Sequence, residues 1–425
     1  KKLFYLAIVL CAIACTNKKS SVNYAKFEPE DGKCLVFIGQ DMEAIGGIEG
    51  KEGYVDFFGT PAGITIYTNI RPGDVSYGYT YQGLDGLKSN ANWGAGNCFA
   101  DAQLASPLLK DCDVAIGLEL VNHEEKVASG EHDSYIIRLG EWIQNIAPQR
   151  VFLRIGYEFD GHAWNHYQPE AYITAFRRIH TLFDSLNISN VAYVWQSTGG
   201  NSSMDELYQY YPGDEYVDWF AYSQFAQGRC QAMIDLARKH GKPLFIAEST
   251  PMFQEKGVVA SELRLSNPEQ ANRAWSTWYK ELFNTVESNP DVVKAFSYIN
   301  ADWPSEAMWQ GDTVVFSKID ARLQINPDIT VKWKEKMKME RYIHEPIAHI
   351  DIFGAKEAEM KYTLTLLLLI FSVYANSIKN WLPYINNISR MEYGGGTQNW
   401  TITRDNNGWI YAANNSGLLQ FDGYS

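Results

Sequence analysis

The sequence predicts a (β/α)8 barrel, and three observations lead to that prediction. Eight short apolar segments, rich in β-branched and aromatic residues, recur between about residue 33 and residue 304. Segments with a helical spacing of apolar residues lie between most of them. Continuously apolar strands that alternate with helices form a parallel sheet covered by helices, and eight such units close into a barrel.

The predicted elements follow from the local pattern of the chain. Strands are predicted at 34–40, 64–69, 114–121, 151–158, 191–196, 217–223, 243–248 and 293–299. Helices are predicted at 133–146, 169–186, 231–240 and 268–286. Pro169 and Pro268 begin two of these helices, at the first turn, where a missing backbone N–H is tolerated.

Composition excludes some classes of partner. The 425 residues carry a formal net charge of −13, which argues against a nucleic-acid partner because phosphate recognition requires a basic surface. The 13 Trp, 26 Tyr and 20 Phe are numerous enough to supply both a large core and a sugar-binding cleft. None of the six cysteines has the spacing of a zinc site. One or two disulfides and buried free thiols are both compatible with Cys34, Cys98, Cys112 and Cys230.

The first residues have the pattern of a secretion signal. Two lysines precede an apolar run that is too short to span a bilayer comfortably, and small residues follow. Residues 12–15 (AIAC) resemble a relaxed bacterial lipobox, which predicts lipidation of Cys15; the alternative is an ordinary signal peptide cut nearby. We therefore predict a signal over 1–15, a linker over 16–32, and a secreted or surface lipoprotein of a bacterium, in contact with the membrane only through its lipid.

Two glutamates stand at the tips of predicted strands. Barrel enzymes place their chemistry at the carboxyl ends of the strands, where Glu158 ends the fourth strand and Glu248 the seventh. Two carboxyl groups that converge from different strands are what cleavage of a glycosidic bond requires, one as acid and one as nucleophile or base. Alternation along the fourth strand places Arg154 on the same side as Glu158, where a guanidinium would keep a neighbouring nucleophile ionised.

Three segments carry a resemblance to a known family. Residues 152–161 (FLRIGYEFDG), 216–220 (YVDWF) and 242–248 (KPLFIAE) are similar to glycoside hydrolase family 26, and the resemblance extends over about 33–339. It implies a retaining mechanism with Glu158 as acid/base and Glu248 as nucleophile. It also implies a sugar-stacking role for Trp303. Further cleft residues that it implies are Gln40, Trp93, Arg154, Tyr157, Trp164 and Tyr222.

The chain departs from the mannanases of that family at two positions. Tyr157 precedes Glu158 where mannanases usually have His, and Phe225 stands where they tend to have a Tyr that hydrogen-bonds the nucleophile. These departures make the chain more similar to the β-1,3-xylanase branch.

Other polar residues near the strand ends are predicted to be structural. Asp160 is expected in a loop salt bridge, with a supporting role beside Glu158 as the alternative. Glu119, Glu124 and Glu125 are expected on a solvated loop. The histidines His123, His162 and His166 lack metal spacing, so no metal site and no cofactor are predicted.

After about residue 339 the barrel pattern stops. A linker or out-of-frame segment is predicted at 340–359, and 360–376 repeats the pattern of a signal peptide. Residues 377–425 resemble the opening blade of the sensor propeller of hybrid two-component regulators. A single blade cannot close a propeller, so we interpret this part as the start of a neighbouring gene, with a membrane-tethered extension as the alternative.

The sequence thus predicts a monomeric, retaining endo-β-glycosidase that acts on a plant or algal cell-wall polysaccharide. β-1,3-xylan, β-mannan and mixed-linkage β-glucan are the candidate substrates. One alternative is a non-catalytic surface glycan-binding lipoprotein that keeps the aromatic cleft. Another is a membrane sensor with a hydrolase-like input domain.

Overall fold

The chain divides into two compact units, Lys1–His349 and Ile350–Ser425. The structure is a computed structural model that describes residues 24–200, 202–253, 262–311, 314–347 and 399–421. The predicted secretion signal with Cys15 and the second signal-like segment at 360–376 lie outside the described residues.

The first unit is the predicted barrel. Its strands are β1 (Cys34–Gly39), β2 (Gly63–Asn69), β3 (Asp113–Glu119), β4 (Val151–Ile155), β5 (Val191–Ser197), β6 (Trp219–Gln224), β7 (Leu244–Ser249) and β8 (Val293–Ile299). Each strand pairs in parallel with the next, and β8 pairs in parallel with β1, which closes the barrel. The fold prediction is confirmed, and the largest boundary change is at β4, which ends three residues before Glu158.

Helices cover the outside of the barrel. The α-helices of this unit are Met42–Ile45, Tyr54–Phe58, Ala100–Ala105, Glu124–Ser129, Asp133–Asn145, Pro169–Ser185, Met204–Tyr208, Gln231–His240, Pro268–Ala274, Lys280–Ser288 and Pro327–Met337. A π-helical segment, Trp275–Tyr279, joins two of them, so the helix predicted at 268–286 is continuous but not α-helical throughout. Short 3-10 turns are Trp303–Ser305, Ala307–Trp309 and Leu323–Ile325. Asn267 caps the first of the joined helices by accepting from the N–H groups of Glu269 and Gln270.

The interior of the barrel has an apolar layer followed by a polar one. The apolar layer consists of Leu35, Phe37, Ala62, Ala115, Phe152, Ala192, Val194, Trp219, Ala221, Phe245, Ala247 and Ala295. Strand alternation then brings a polar side chain inward two residues further along several strands, as in Arg154, Gln196 and Ser223. The apolar layer therefore fills the barrel beneath a polar floor at the carboxyl ends of the strands.

The barrel unit extends beyond the predicted boundaries at both ends. Phe27 packs against Phe152 with ring centroids 5.7 Å apart, and the backbone carbonyl of Lys26 accepts from the indole of Trp219. The two-residue strand Tyr342–Ile343 pairs with the start of β1. Residues 24–32 and 340–343 are thus packed parts of the barrel unit, where a linker was predicted, because they cover apolar side chains at the amino-terminal end of the barrel.

Smaller strands complete the described chain. In the first unit these are Val75–Ser76, Tyr79–Thr80, Leu263–Arg264 and Ile319–Asp320. In the second unit Asn399–Arg404, Ile410–Asn414 and Gly417–Phe421 form an antiparallel sheet, and the propeller resemblance of this segment stays a prediction.

Within the described ranges, no helix is long and apolar enough to cross a membrane. Cys34, Cys98, Cys112 and Cys230 are free, buried thiols.

Candidate active site

Glu248 reaches the interior of the barrel through an irregularity in β7. Strict alternation from Ile246, which packs in the outer core, would direct Glu248 outward. The pairing of β6 with β7 shifts by one residue, however, so that Tyr222 pairs with Ile246 and Ser223 with Glu248. Such a β-bulge changes the direction of the following side chain. The bulge therefore places the Glu248 carboxylate on the polar floor.

Two donors from neighbouring strands hold the Glu248 carboxylate. Its Oε1 atom accepts a hydrogen bond of 2.6 Å from Arg154 Nη1, in an ion pair whose arginine is wholly buried. The same oxygen accepts from Gln196 Nε2 at 3.3 Å. A charged donor in a buried setting makes a short, strong hydrogen bond, which holds the Glu248 carboxylate in one orientation.

The backbone turns sharply at Glu158. β4 ends at Ile155, and both Gly156 and Glu158 then adopt left-handed conformations, with φ of 52° and 54°. A left-handed glutamate is uncommon, and strained conformations of this kind persist only where surrounding contacts fix them. Here the Glu158 carbonyl accepts from Gly161 N at 2.8 Å and from Asn165 Nδ2 at 2.7 Å. The loop thus fixes the direction of the Glu158 side chain.

Both carboxyl oxygens of Glu158 accept hydrogen bonds. Oε1 accepts from Ser223 Oγ at 2.6 Å, and Oε2 accepts from Trp164 Nε1 at 3.1 Å. Burial raises the pKa of Glu158 well above its usual range, and the charge of Glu248 raises it further. The site therefore combines one carboxyl group that favours protonation with one that is held by an arginine.

The Arg154 guanidinium lies between two aromatic rings. Its Cζ atom is 4.9 Å from the ring centroid of Tyr67, on β2, and 5.3 Å from that of Tyr157. Such contacts attract a cation to the ring faces. Gly117 on β3 provides the space, because a Cβ atom there would lie 2.6 Å from the Tyr67 ring and 2.9 Å from Arg154 Nη2.

Tyr67 presents a buried hydroxyl beside the nucleophile candidate. The Tyr67 hydroxyl has no hydrogen-bond partner among the described residues, nor do Nε and Nη2 of Arg154. Burial raises the pKa of Tyr67, and the nearby charge of Glu248 contributes to the increase. Unsatisfied buried polar atoms at the mouth of a barrel are groups that a polar ligand would satisfy.

Of the remaining predicted cleft residues, Trp164 is the one that contacts a glutamate. Its ring is about half exposed while its N–H donates to Glu158 Oε2, so it lies beside that carboxyl group. Gln40 is buried directly after β1, at the same end of the barrel. Trp93 is buried in an aromatic cluster that includes Tyr67 and Tyr81, and so lines the site from behind rather than on an open surface.

Two predicted sugar contacts occupy different surroundings. Tyr222 faces outward from β6, is fully buried in the outer core, and donates its hydroxyl proton to Gln224 at 3.1 Å. It is therefore not brought into the site, because the inward position on β6 belongs to Ser223. Trp303 is only 3% exposed and stacks on Phe316 with ring centroids 4.1 Å apart. Its ring is covered in this structure, not open to a sugar.

The secondary candidates have structural partners. Asp160 accepts from Ser197 Oγ, Thr198 N and Ser202 Oγ at 2.7–2.8 Å, so it fixes the loop after β5, and it forms no salt bridge with any residue that the structure describes. Glu119 forms an ion pair with Arg71 at 2.6 Å. Its side chain is half-buried, whereas the sequence predicted a solvated one. His123 hydrogen-bonds His132 at 2.9 Å. Among the residues with described coordinates, no group of three or more His, Cys, Asp or Glu could hold a metal ion.

Comparison with known proteins gives the family. A model described as glycosyl hydrolase family 26 matches residues 117–297, which contain both glutamates. A β-1,3-xylanase of an Alcaligenes species is 29% identical over 359 residues, covering 81% of this chain and 71% of the relative. The β-1,3-xylanase TXYA of a Vibrio species is 30% identical over 363 residues, covering 81% of this chain and 72% of the relative. The chain belongs to glycoside hydrolase family 26.

This family 26 member is therefore a glycoside hydrolase. Among solved structures, a GH26 β-mannanase from Bacteroides ovatus is 14% identical, with a TM-score of 0.48, and the match covers 74% of this chain and 91% of that one.

Sequence reasoning did not single out several groups of this glycoside hydrolase site. Gln196, Ser223 and Tyr67 were not identified as candidate site residues from the sequence. The signal for all three is the same inward alternation that identified Arg154, applied to β2, β5 and β6. The β7 bulge, in contrast, has no local sequence signal in the apolar run before Glu248.

Gly117→Ala is expected to destabilise the protein and to reduce its activity. The added Cβ would displace the buried Tyr67 ring or the Arg154 guanidinium, and overpacking of this kind lowers the free energy of unfolding by about 1–3 kcal/mol. Urea denaturation would measure the change. Gly200→Ala is the control, because its Cβ would meet only Thr198 Oγ1, at 3.3 Å on an exposed loop. Equal stability of the two variants would refute the requirement for glycine at position 117.

Proposed function

We propose that the chain is a retaining endo-β-glycosidase that hydrolyses β-1,3-xylan. The observation that carries this proposal is the pair of buried carboxyl groups at the ends of β4 and β7, connected by hydrogen bonds through Gln196 and Ser223. A double displacement requires one carboxyl group that is protonated and one that is ionised. Burial and the neighbouring charge favour the protonated form of Glu158, and the arginine that pairs with Glu248 orients that carboxylate for attack.

In the first step Glu248 attacks the anomeric carbon while Glu158 protonates the departing glycosidic oxygen. The new bond joins a Glu248 oxygen to the anomeric carbon, and the bond from that carbon to the leaving oxygen breaks. Arg154 and Gln196 orient the attacking carboxylate through their hydrogen bonds to Oε1. The buried hydroxyl of Tyr67 interacts with the same carboxylate and with Arg154.

In the second step the roles of the groups change because one charge disappears. Glu248 is an ester in the intermediate and no longer raises the pKa of Glu158. Glu158, ionised after its proton transfer, then removes a proton from water as the water attacks the anomeric carbon. The product keeps the β configuration, and both carboxyl groups return to their starting states.

The choice of β-1,3-xylan rests on the relatives and on Tyr157. The two curated relatives that cover most of this chain are both named as β-1,3-xylanases. Tyr157, rather than the His of the mannanases, precedes Glu158 and packs against Arg154. A different residue at this position changes the wall of the site beside the nucleophile.

A substrate panel tests the proposal. Release of reducing sugar by the full chain would be measured on β-1,3-xylan, β-mannan and mixed-linkage β-glucan, with Glu158→Gln as the inactive control. We expect release of oligosaccharides from β-1,3-xylan alone. Release from β-mannan or β-glucan alone would mean that this polymer, and not β-1,3-xylan, is the substrate. Binding of a polymer without any release would indicate the non-catalytic alternative.

The pH dependence of kcat/KM on β-1,3-xylan should show an alkaline limb set by Glu158. The raised pKa keeps Glu158 protonated to a higher pH than an ordinary glutamate, and activity is lost as pH rises through that pKa. A profile between about pH 4 and pH 10 would measure the limb. An aryl xylobioside with a dinitrophenolate leaving group needs no acid, so its kcat/KM should lack this limb. The same limb on both substrates would contradict the assignment.

A further inference from the structure

Ser223 is the one described residue that connects Glu158 to the groups around Glu248. Its Oγ atom lies 2.6 Å from Glu158 Oε1 and 3.1 Å from Gln196 Nε2. Gln196 also contacts Glu248, and its Oε1 atom lies 3.0 Å from Arg154 Nη1. All five side chains are at least nine-tenths buried, so water does not compete freely for these bonds.

The chemistry of the donors fixes the direction of every bond in this series. A guanidinium can only donate, so the Gln196 atom that faces Arg154 is the carbonyl oxygen. The NH2 group of Gln196, at Nε2, then faces Ser223 and Glu248, and an NH2 group of an amide can only donate. Ser223 therefore accepts from Gln196, and Glu158 Oε1 is the one acceptor among the described residues that its own proton reaches, so Ser223 donates to Oε1. The series runs in one direction, from Arg154 through Gln196 and Ser223 to Glu158.

This direction determines which oxygen of Glu158 can carry the acidic proton. Oε1 already accepts the Ser223 proton, and a proton on Oε1 would face that hydroxyl hydrogen. Oε2 accepts only from Trp164 Nε1, and the half-exposed ring of Trp164 marks the side of Glu158 that is open to a ligand. The free lone pair of Oε2 is thus the place from which a proton can reach the leaving group.

We propose that Ser223 is a positioning residue that directs the acidic proton of Glu158 onto Oε2, beside the leaving-group oxygen. The proposal rests on the proposed function, because it assigns Glu158 as the acid. In this role Ser223 does not contact the reacting bond. Its direct contact with a reacting group is the one with Glu158, and Gln196 keeps its own bonds to Arg154 and Glu248 when the Ser223 hydroxyl is removed.

Ser223→Ala should therefore impair the cleavage of poor leaving groups selectively. We expect kcat/KM on β-1,3-xylan to fall by about tenfold to a hundredfold, because general acid catalysis depends on placement. With a dinitrophenyl β-1,3-xylobioside, whose leaving group needs no proton, kcat/KM should change by less than about threefold. Ser223→Thr keeps the hydroxyl and should recover activity on the polymer.

The pH profile on the polymer supplies a second readout. The Ser223 hydrogen bond stabilises the ionised form of Glu158, so its loss should move the alkaline limb to higher pH. The other polar and charged groups that act on Glu158 remain in place, namely Glu248, Asp160 and Trp164. Ser297→Ala is the matched control, since it removes a buried hydroxyl that bonds Thr65 Oγ1 at 2.7 Å inside the barrel. That variant should leave the limb unmoved.

The outcomes separate this proposal from the proposed function. An equal loss of kcat/KM on both substrates would show that Ser223 supports the nucleophile or the fold, and would overturn the proposal. Unchanged activity on the polymer, or an unmoved limb, would overturn it as well. A wild-type chain without activity on any of these substrates would overturn the proposed function and this inference with it.

Discussion

Replacement of Glu248 by glutamine is expected to reduce kcat on β-1,3-xylan by about 10⁴-fold or more. An amide cannot form the glycosyl ester, and removal of a nucleophile is among the largest single-residue effects in enzymes. Glutamine keeps an oxygen acceptor for Arg154 Nη1, so the buried guanidinium retains a partner and the fold should survive. Reducing-sugar release measures the loss, and a thermal melt confirms folding.

The product of a rescue reaction identifies the role of Glu248. Glu248→Ala opens a space beside the anomeric carbon, into which azide can enter and attack the activated aryl xylobioside. The expected product is the α-glycosyl azide, because one displacement inverts the configuration. NMR of the product distinguishes the anomers. A β-glycosyl azide from this variant would mean that Glu248 is not the nucleophile.

Replacement of Glu158 by alanine should have the second-largest effect, and its size should depend on the leaving group. We expect kcat/KM on β-1,3-xylan to fall by about 10²–10⁴-fold, the range that general acid catalysis supplies. On the dinitrophenyl xylobioside, the fall in kcat/KM should be small, because the first step needs no proton there. A loss of the same size on both substrates would contradict an acid role.

Azide provides the complementary observation for this variant. The glycosyl-enzyme on Glu248 forms but hydrolyses slowly without a base, so it should accumulate. Azide needs no base, and its attack on the intermediate should yield the β-glycosyl azide after two inversions. Asp160→Asn is a useful comparison, because Asp160 binds the loop after β5 rather than the substrate. Production of the α anomer by Glu158→Ala would mean that the two roles are exchanged.

The fold was predictable because its signals are local and repeated. The strands are continuously apolar, two of the helices begin with proline at the first turn, and the strand pattern returns eight times. This regularity leaves few alternatives to a closed barrel. The same regularity predicted that Glu158, Glu248 and Arg154 would lie close together, since residues at strand ends of a barrel meet at one rim. The prediction failed at β4, which ends at Ile155 because left-handed Gly156 turns the chain.

Residues whose position depends on a register or on non-local packing were harder to predict. Tyr222 and Ser223 are adjacent, and which of them faces the site depends on the pairing of β6 with its neighbours. Trp303 follows β8 as expected, yet its ring is covered by Phe316, which lies outside the barrel strands. The amino-terminal residues around Phe27 look like a linker in sequence and become core only when they meet Phe152 and Trp219.

The most direct test of the double displacement is to trap the intermediate. The full chain would be incubated with a dinitrophenyl 2-deoxy-2-fluoro-β-1,3-xylobioside, whose fluorine slows the second step more than the first, and then digested for mass spectrometry. We predict that the chain gains one fluoroxylobiosyl group, on the peptide that contains Glu248. A label on the Glu158 peptide, or unlabelled protein that still turns over the unfluorinated substrate with inversion, would contradict the assignment.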